Sequence, residues 1–205
     1  MKISEGIKLI GKPATILDCT RNDLVEFYQE RGFKVGVEVG VYQGEYSEVM
    51  AKGGFKVYAV DPWGVYPDYK VQIDQAKIDY NYKVTKERLE VYPNVSIVRK
   101  TSMEAVKDFE DNSLDFVYID ANHRFKFIAE DMMEWAKKVK EGGVLAGHDY
   151  AFFRHRFPGG GCQVREIVDA FALSFDLNFW LLGGYRDKGR DRLRSWMFIK
   201  NWRNA

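Results

Sequence analysis

Apolar residues along this chain fall into short consecutive runs, separated by longer stretches in which they recur at helical spacing. Five runs read as strands: residues 35–41, 56–60, 95–99, 114–119 and 143–147. Their apolar positions are consecutive rather than alternating, the pattern of strands covered on both faces of a parallel sheet. Between them, residues 45–52, 71–91, 103–109 and 124–140 are predicted helices. In the last of these, Phe127, Ile128, Met132, Trp135, Ala136 and Val139 line one face, with charges between them. Strand and helix alternating in this way predicts an open α/β sheet. The tail changes character. Residues 163–175 read as a helix, and two strand-like runs, 178–182 and 195–200, follow it. The charged stretch between those runs is too short for a crossover helix, so an antiparallel hairpin closing one sheet edge is predicted. The expected sheet has seven strands, mostly parallel. Ahead of it, Thr20-Arg21-Asn22-Asp23 can cap a helix running to about Arg31, with Gly32 ending it. Residues 1–34 are accordingly expected to form an extension with a helix, and residues 35–205 a single domain.

Composition narrows the picture. At 205 residues the chain fits one domain, and 46% hydrophobic with 30% charged residues is a globular mixture. Lys plus Arg number 31 against 30 Asp plus Glu, so no global field steers nucleic acid to it. No apolar run is long enough to span a membrane. The first residues, Met1-Lys2-Ile3-Ser4-Glu5-Gly6, break into charge without the apolar core of a secretory signal. Cys19 and Cys162 give neither a disulfide framework nor a zinc spacing, and are read as reduced thiols of a cytoplasmic protein.

The first strand ends in Val37-Glu38-Val39-Gly40-Val41-Tyr42-Gln43-Gly44, which is acidic-x-Gly-x-x-x-Gly rather than the dinucleotide G-x-G-x-x-G. Gly40 permits a tight turn and close backbone approach. The second strand ends in Val60-Asp61-Pro62-Trp63, where a carboxylate can accept both hydroxyls of a ribose. With the sheet order, residues 35–200 resemble class I S-adenosylmethionine (SAM)-dependent methyltransferases. The resemblance implies a Rossmann-like class I methyltransferase fold, α/β with helices on both faces. It implies the methionine part of SAM at Glu38, Gly40, Val41, Tyr42 and Gly44, and ribose at Asp61, next to Pro62 and Trp63. Adenine would be bracketed by Ser102 and Met103 in the turn Thr101-Ser102-Met103, and Asp120 would also line the cofactor site. Further segments, Asp120-Ala121-Asn122-His123, Glu141-Gly142-Gly143-Val144 and His148-Asp149-Tyr150, are similar to a narrower branch. That branch is methyltransferase domain family 24 with the macrocin-type sugar O-methyltransferases. The related catechol-type enzymes carry metal carboxylates at the same two strand ends.

Methyl transfer from a sulfonium is a substitution in which the protein chiefly positions donor and acceptor. An oxygen acceptor must also lose a proton, which calls for a base or an acidifying metal. Asp120 and Asp149 close neighbouring strands, which lie roughly 4.8 Å apart, so both should face one crevice; the alternative is a helix cap and a loop anchor. The resemblance implies a metal set of Asp120, His148 and Asp149. Magnesium prefers oxygen ligands, so His148 either points away or shifts preference toward manganese or iron. His123 stands where catechol-type enzymes carry their catalytic lysine, which makes His123, with Asp120, the catalytic candidate. Its alternative is a first-turn helix residue paired with a carboxylate. Aromatic and basic residues in 63–69 and 151–161 are expected to control the acceptor, the second as a glycine-hinged lid. The run 186–194 reads as a solvated hairpin tip.

The expected function is therefore SAM-dependent O-methylation of a small-molecule or sugar hydroxyl, assisted by a divalent cation (Mg, Mn or Fe), with a homodimer compatible and no membrane involved. Two alternatives stand beside it. One is a nucleic-acid methyltransferase, against which stand the balanced charge and the lack of an Asn-Pro-Pro-Tyr-like motif. The other is a non-catalytic SAM-binding protein, against which stand Asp120, His123 and Asp149.

Overall fold

The structure, a computed structural model, describes residues 2–8, 15–65, 74–151, 161–183 and 193–202. In chain order its elements begin with α1 (Ile3–Gly6), β1 (Thr15–Leu17), α2 (Asp23–Glu30), β2 (Val35–Val39), α3 (Glu45–Lys52) and β3 (Lys56–Val60). They continue with α4 (Gln75–Leu89), β4 (Val95–Val98), α5 (Ser102–Ala105), β5 (Leu114–Ile119), α6 (Phe125–Lys138) and β6 (Val139–Gly147). The chain finishes with α7 (Val164–Ser174), β7 (Trp180–Leu182) and β8 (Ser195–Ile199). The strands form one sheet in the order β1-β7-β8-β6-β5-β2-β3-β4. All neighbours are parallel except at β8, which runs antiparallel to both β6 and β7.

The expected α/β sheet with its C-terminal hairpin is present, with eight strands where the sequence suggested seven. The added strand is β1, whose three residues pair in parallel with β7, Leu17 opposite Leu182. It is too short to carry a readable period. The N-terminal residues thus supply a sheet edge as well as a helix. Boundaries also shift, most clearly at two helices. Helix 124–140 ends at Lys138 because Val139 is already extended (φ −71°, ψ 135°) and opens β6. Helix 103–109 shrinks to α5 and a 3-10 turn at Val106–Asp108, after which Phe109 leaves the axis. The Phe109 ring then packs on Tyr58 and Trp135, with centroids 5.1 and 5.4 Å away. The aromatic-basic loop at 152–160, Tyr66–Tyr69 and most of the charged run at 186–194 lie outside the described residues.

Consecutive apolar residues feed both sheet faces. Val37, Val39, Val117, Ile119 and Leu145 face Ile128, Met132, Trp135 and Phe171 from α6 and α7. Their neighbours Phe116, Tyr118, Val144 and Ala146 face Leu24, Phe27, Tyr28, Tyr46 and Met50 from α2 and α3. Register then sets the strand ends level. Val39 sits opposite both Val60 and Ile119, and Ile119 opposite Gly147. The residues that follow, Gly40, Asp61, Asp120 and His148, therefore emerge in one row. The chain order reverses at β2, which lies between β3 and β5, and open α/β sheets bind ligands at such a crevice.

Candidate active site

Gly40 takes φ +88° and donates its N–H to the Val60 carbonyl at 2.8 Å. A Cβ there would lie 2.2 Å from the Asp120 carbonyl oxygen, so the turn admits only glycine. Asp120 donates its own N–H to Val39 O at 2.7 Å, which locks the two strand ends side by side.

Asp61, read from sequence as a separate ribose group, is bound to the glycine turn. Its Oδ2 accepts the N–H of Val41 (3.0 Å) and Tyr42 (3.2 Å), and Oδ1 accepts that of Trp63 (2.8 Å). Burial raises its pKa and these three bonds oppose the rise. The Tyr42 carbonyl is gripped in turn by Trp63 Nε1–H (3.0 Å) and Thr85 Oγ1–H (2.9 Å). Tyr42 and Trp63 hold φ at 55° and 39°, and Asp149 at 55°. Left-handed backbone outside glycine is strained, and such strain clusters at functional turns.

The remaining cofactor candidates differ in exposure. Val41 and Trp63 are buried, while Tyr42 projects outward. Pro62 is half-buried, and its carbonyl accepts from Arg99 Nε at 3.4 Å. Gly44, at φ 78°, starts α3. Glu38 is enclosed beneath the turn with Ser47 Oγ–H donating to it, and burial pushes its carboxyl up to about 8. Met103 packs on the core. Ser102 turns its hydroxyl inward, donating to Asp131 and accepting from Trp135 Nε1–H at 2.8 Å.

At the adjoining strand ends, ligand atoms of Asp120, His123 and Asp149 lie within 4.8 Å of one another. His123 Nε2 is 2.8 Å from Asp149 Oδ2 and 3.8 Å from Asp120 Oδ1. The nearer approach is not aligned as a hydrogen bond and the farther one is too long for one, so the buried Nε2 is left without one. Burial alone would lower the imidazole pKa, but the two carboxylates outweigh it and hold it up at about 10. Burial would likewise raise Asp149, yet His123 and His148 hold it well below the usual carboxylate range. His148 is not in the triad. Its Nδ1 lies 3.3 Å from Asp149 Oδ1, on the other oxygen from His123, and its carbonyl accepts Trp196 Nε1–H at 3.1 Å. The set expected from sequence, Asp120, His148 and Asp149, thus differs from the set whose donor atoms converge.

Arg21 escaped sequence reasoning. Its Nη1 lies 3.4 Å from Asp120 Oδ2, its guanidinium stands 5.3 Å from the Tyr46 ring centroid, and its carbonyl accepts the Tyr46 hydroxyl at 2.9 Å. With a sequence separation of 99 between Arg21 and Asp120, no local pattern announces the pair.

A mostly parallel sheet with an antiparallel C-terminal hairpin, a glycine turn after one strand and a carboxylate at the next strand end is the architecture of class I methyltransferases. Residues 37–150, more than half the chain, match a family model described as a methyltransferase domain, and the chain belongs to that family. Solved structures share the fold. An O-methyltransferase from Bacillus cereus in complex with S-adenosylhomocysteine (SAH) superposes with TM-score 0.61 at 16% identity, covering 87% of this chain and 80% of that one. The O-methyltransferase TomG from Streptomyces achromogenes, involved in tomaymycin synthesis and in complex with SAM, gives 0.64 at 16% identity, covering 87% and 78%. At such identities the likeness establishes the fold. An uncharacterized protein of Sinorhizobium fredii, y4gI, is 33% identical over 61 residues, which are 30% of this chain and 7% of that protein's length. No helix among the described residues is long and apolar enough to cross a membrane.

Proposed function

We propose that the chain is a SAM-dependent O-methyltransferase acting on a small-molecule or sugar hydroxyl, with a divalent cation held by Asp120, His123 and Asp149. The observation that carries this reading is the convergence of those three side chains at the ends of β5 and β6, the next two strands beside the Gly40 turn. The donor set suits a cation: two carboxylates supply the charge, and a buried imidazole nitrogen without a hydrogen bond supplies a third ligand. Manganese or iron accepts such a mixed nitrogen and oxygen set more readily than magnesium. The ion, when bound, acidifies the acceptor hydroxyl.

The chain's own residues do the rest. Asp120 divides its oxygens, Oδ1 toward His123 and Oδ2 toward Arg21, and Asp149 divides its own between His123 and His148. Each carboxylate is thereby oriented by a second partner, as metal ligands commonly are. Held at about 10 by the two carboxylates, His123 is protonated at neutral pH, which makes it a poor solitary base, and it must release that proton to ligate a cation. Asp61 keeps Oδ1 with a single bond and can accept a ribose hydroxyl while still clamping the turn. The setting is taken as cytoplasmic, with Cys19 and Cys162 as free thiols.

Calorimetric titration with manganese tests the reading. His123 must give up its proton to become a ligand, so binding should release about one proton, seen as a dependence of the heat on the buffer. Binding should vanish in Asp149→Ala, and chelation should stop methyl transfer from SAM to a hydroxyl panel. Chelator-insensitive transfer, or no manganese uptake, overturns the metal assignment.

A further inference from the structure

One buried carboxylate has no part in the cluster just described. Asp131 sits mid-helix on α6 with 3% of its surface exposed, and burial pushes its carboxyl up to about 7. Among the described residues its only hydrogen-bond partner is the Ser102 hydroxyl, and none of their cations pairs with it. Trp135, one helical turn on and on the same face, donates Nε1–H to the same Ser102 oxygen. An apolar residue would fill such a position without desolvating a carboxylate, so packing does not explain Asp131. Its partner identifies what it does. Ser102 opens α5 immediately after β4, in the row of strand ends that flanks the crevice, and Thr101 and Glu104 brace that turn with a capping box. With its hydrogen directed at Asp131 and its oxygen taken by Trp135, the Ser102 hydroxyl is withdrawn from the crevice. The same helix begins two residues after His123, so α6 braces both the polar cluster and this turn.

We propose that Asp131 is a positioning residue for the cofactor, holding Ser102 from behind so that the 101–103 turn keeps the shape that receives the adenine base. This rests on the SAM reading above. The test is calorimetric binding of SAH and of its hypoxanthine analogue, S-inosylhomocysteine, to the full chain and to Asp131→Asn, Asp131→Leu and Ser102→Ala. Asp131→Asn retains an oxygen acceptor for Ser102 and should bind SAH nearly as well as wild type. Asp131→Leu and Ser102→Ala should each weaken SAH by about tenfold, the equivalent of one good hydrogen bond. They should also lose most of the preference for SAH over the analogue, which a general loosening of the fold would leave intact. Asp131→Leu removes a buried carboxyl but leaves the Ser102 hydroxyl without its acceptor; if that variant fails to fold, Ser102→Ala carries the test. Unchanged affinity and unchanged base preference in the leucine and alanine variants overturn the proposal. Wild-type protein that binds no SAH overturns the methyltransferase reading itself, and this proposal with it.

Discussion

Glu38 shows how far a motif position can be read. Its acidic character at the end of β2 was visible, but its enclosure was not, because that depends on Ser47 swinging in from α3. Burial holds its carboxyl near 8 against an ordinary value of 4.5. A raised pKa means the folded state binds the proton more tightly, so the stabilisation is complete below about pH 4.5 and is lost as pH rises through 8. Glu38→Gln, which cannot ionise, should therefore melt well above wild type at pH 9 and close to it at pH 4.5. Melting curves across that range check this, and a constant gap would contradict it. The same limit applies to the Asp120, His123 and Asp149 cluster proposed to hold a cation. Asp120 and Asp149 were legible from strand ends, whereas the choice between His123 and His148 depended on which oxygen of Asp149 each imidazole meets, and spacing does not encode that.

At the scale of elements, strands buried on both faces were the most legible part, since their consecutive apolar residues leave few other readings. The junction of α6 with β6 was not. There Lys200, which reads from sequence as the polar end of the last strand, is 7% exposed. Its ammonium donates to the carbonyls of Ala136 (2.9 Å) and Val139 (2.7 Å) and to Asn112 Oδ1 (3.1 Å). It thus satisfies the orphan carbonyls at the end of α6 and favours that end of the helix dipole. Lys200→Met should destabilise the protein by about 1–3 kcal/mol, the range for leaving buried carbonyls unpaired. Denaturant unfolding measures it, and a neutral result would show that the junction needs no cation. The N-terminal edge was missed for a different reason. Three residues of β1 carry no period, and only the pairing with β7 makes them a strand.

For the whole molecule, that edge changes what the N-terminal residues mean. Leu17 is fully buried and pairs with Leu182, and Ile3 is buried in the same cluster. Leu17→Ala should cost about 2–5 kcal/mol, as buried leucine truncations do. Ala at that position with wild-type unfolding would show the edge to be dispensable. Arg21 enters the site from the same segment, so the residues read as an extension help to build the crevice. In the proposed function, one row of strand ends holds both a methyl donor and the group that activates its acceptor. A crystal grown with SAH and manganese, with anomalous data recorded at the manganese edge, addresses it most directly. SAH density is expected against Gly40 with its ribose at Asp61, together with one anomalous peak bounded by Asp120, His123 and Asp149. SAH bound away from that row, or no peak at the three side chains, would contradict the proposed function.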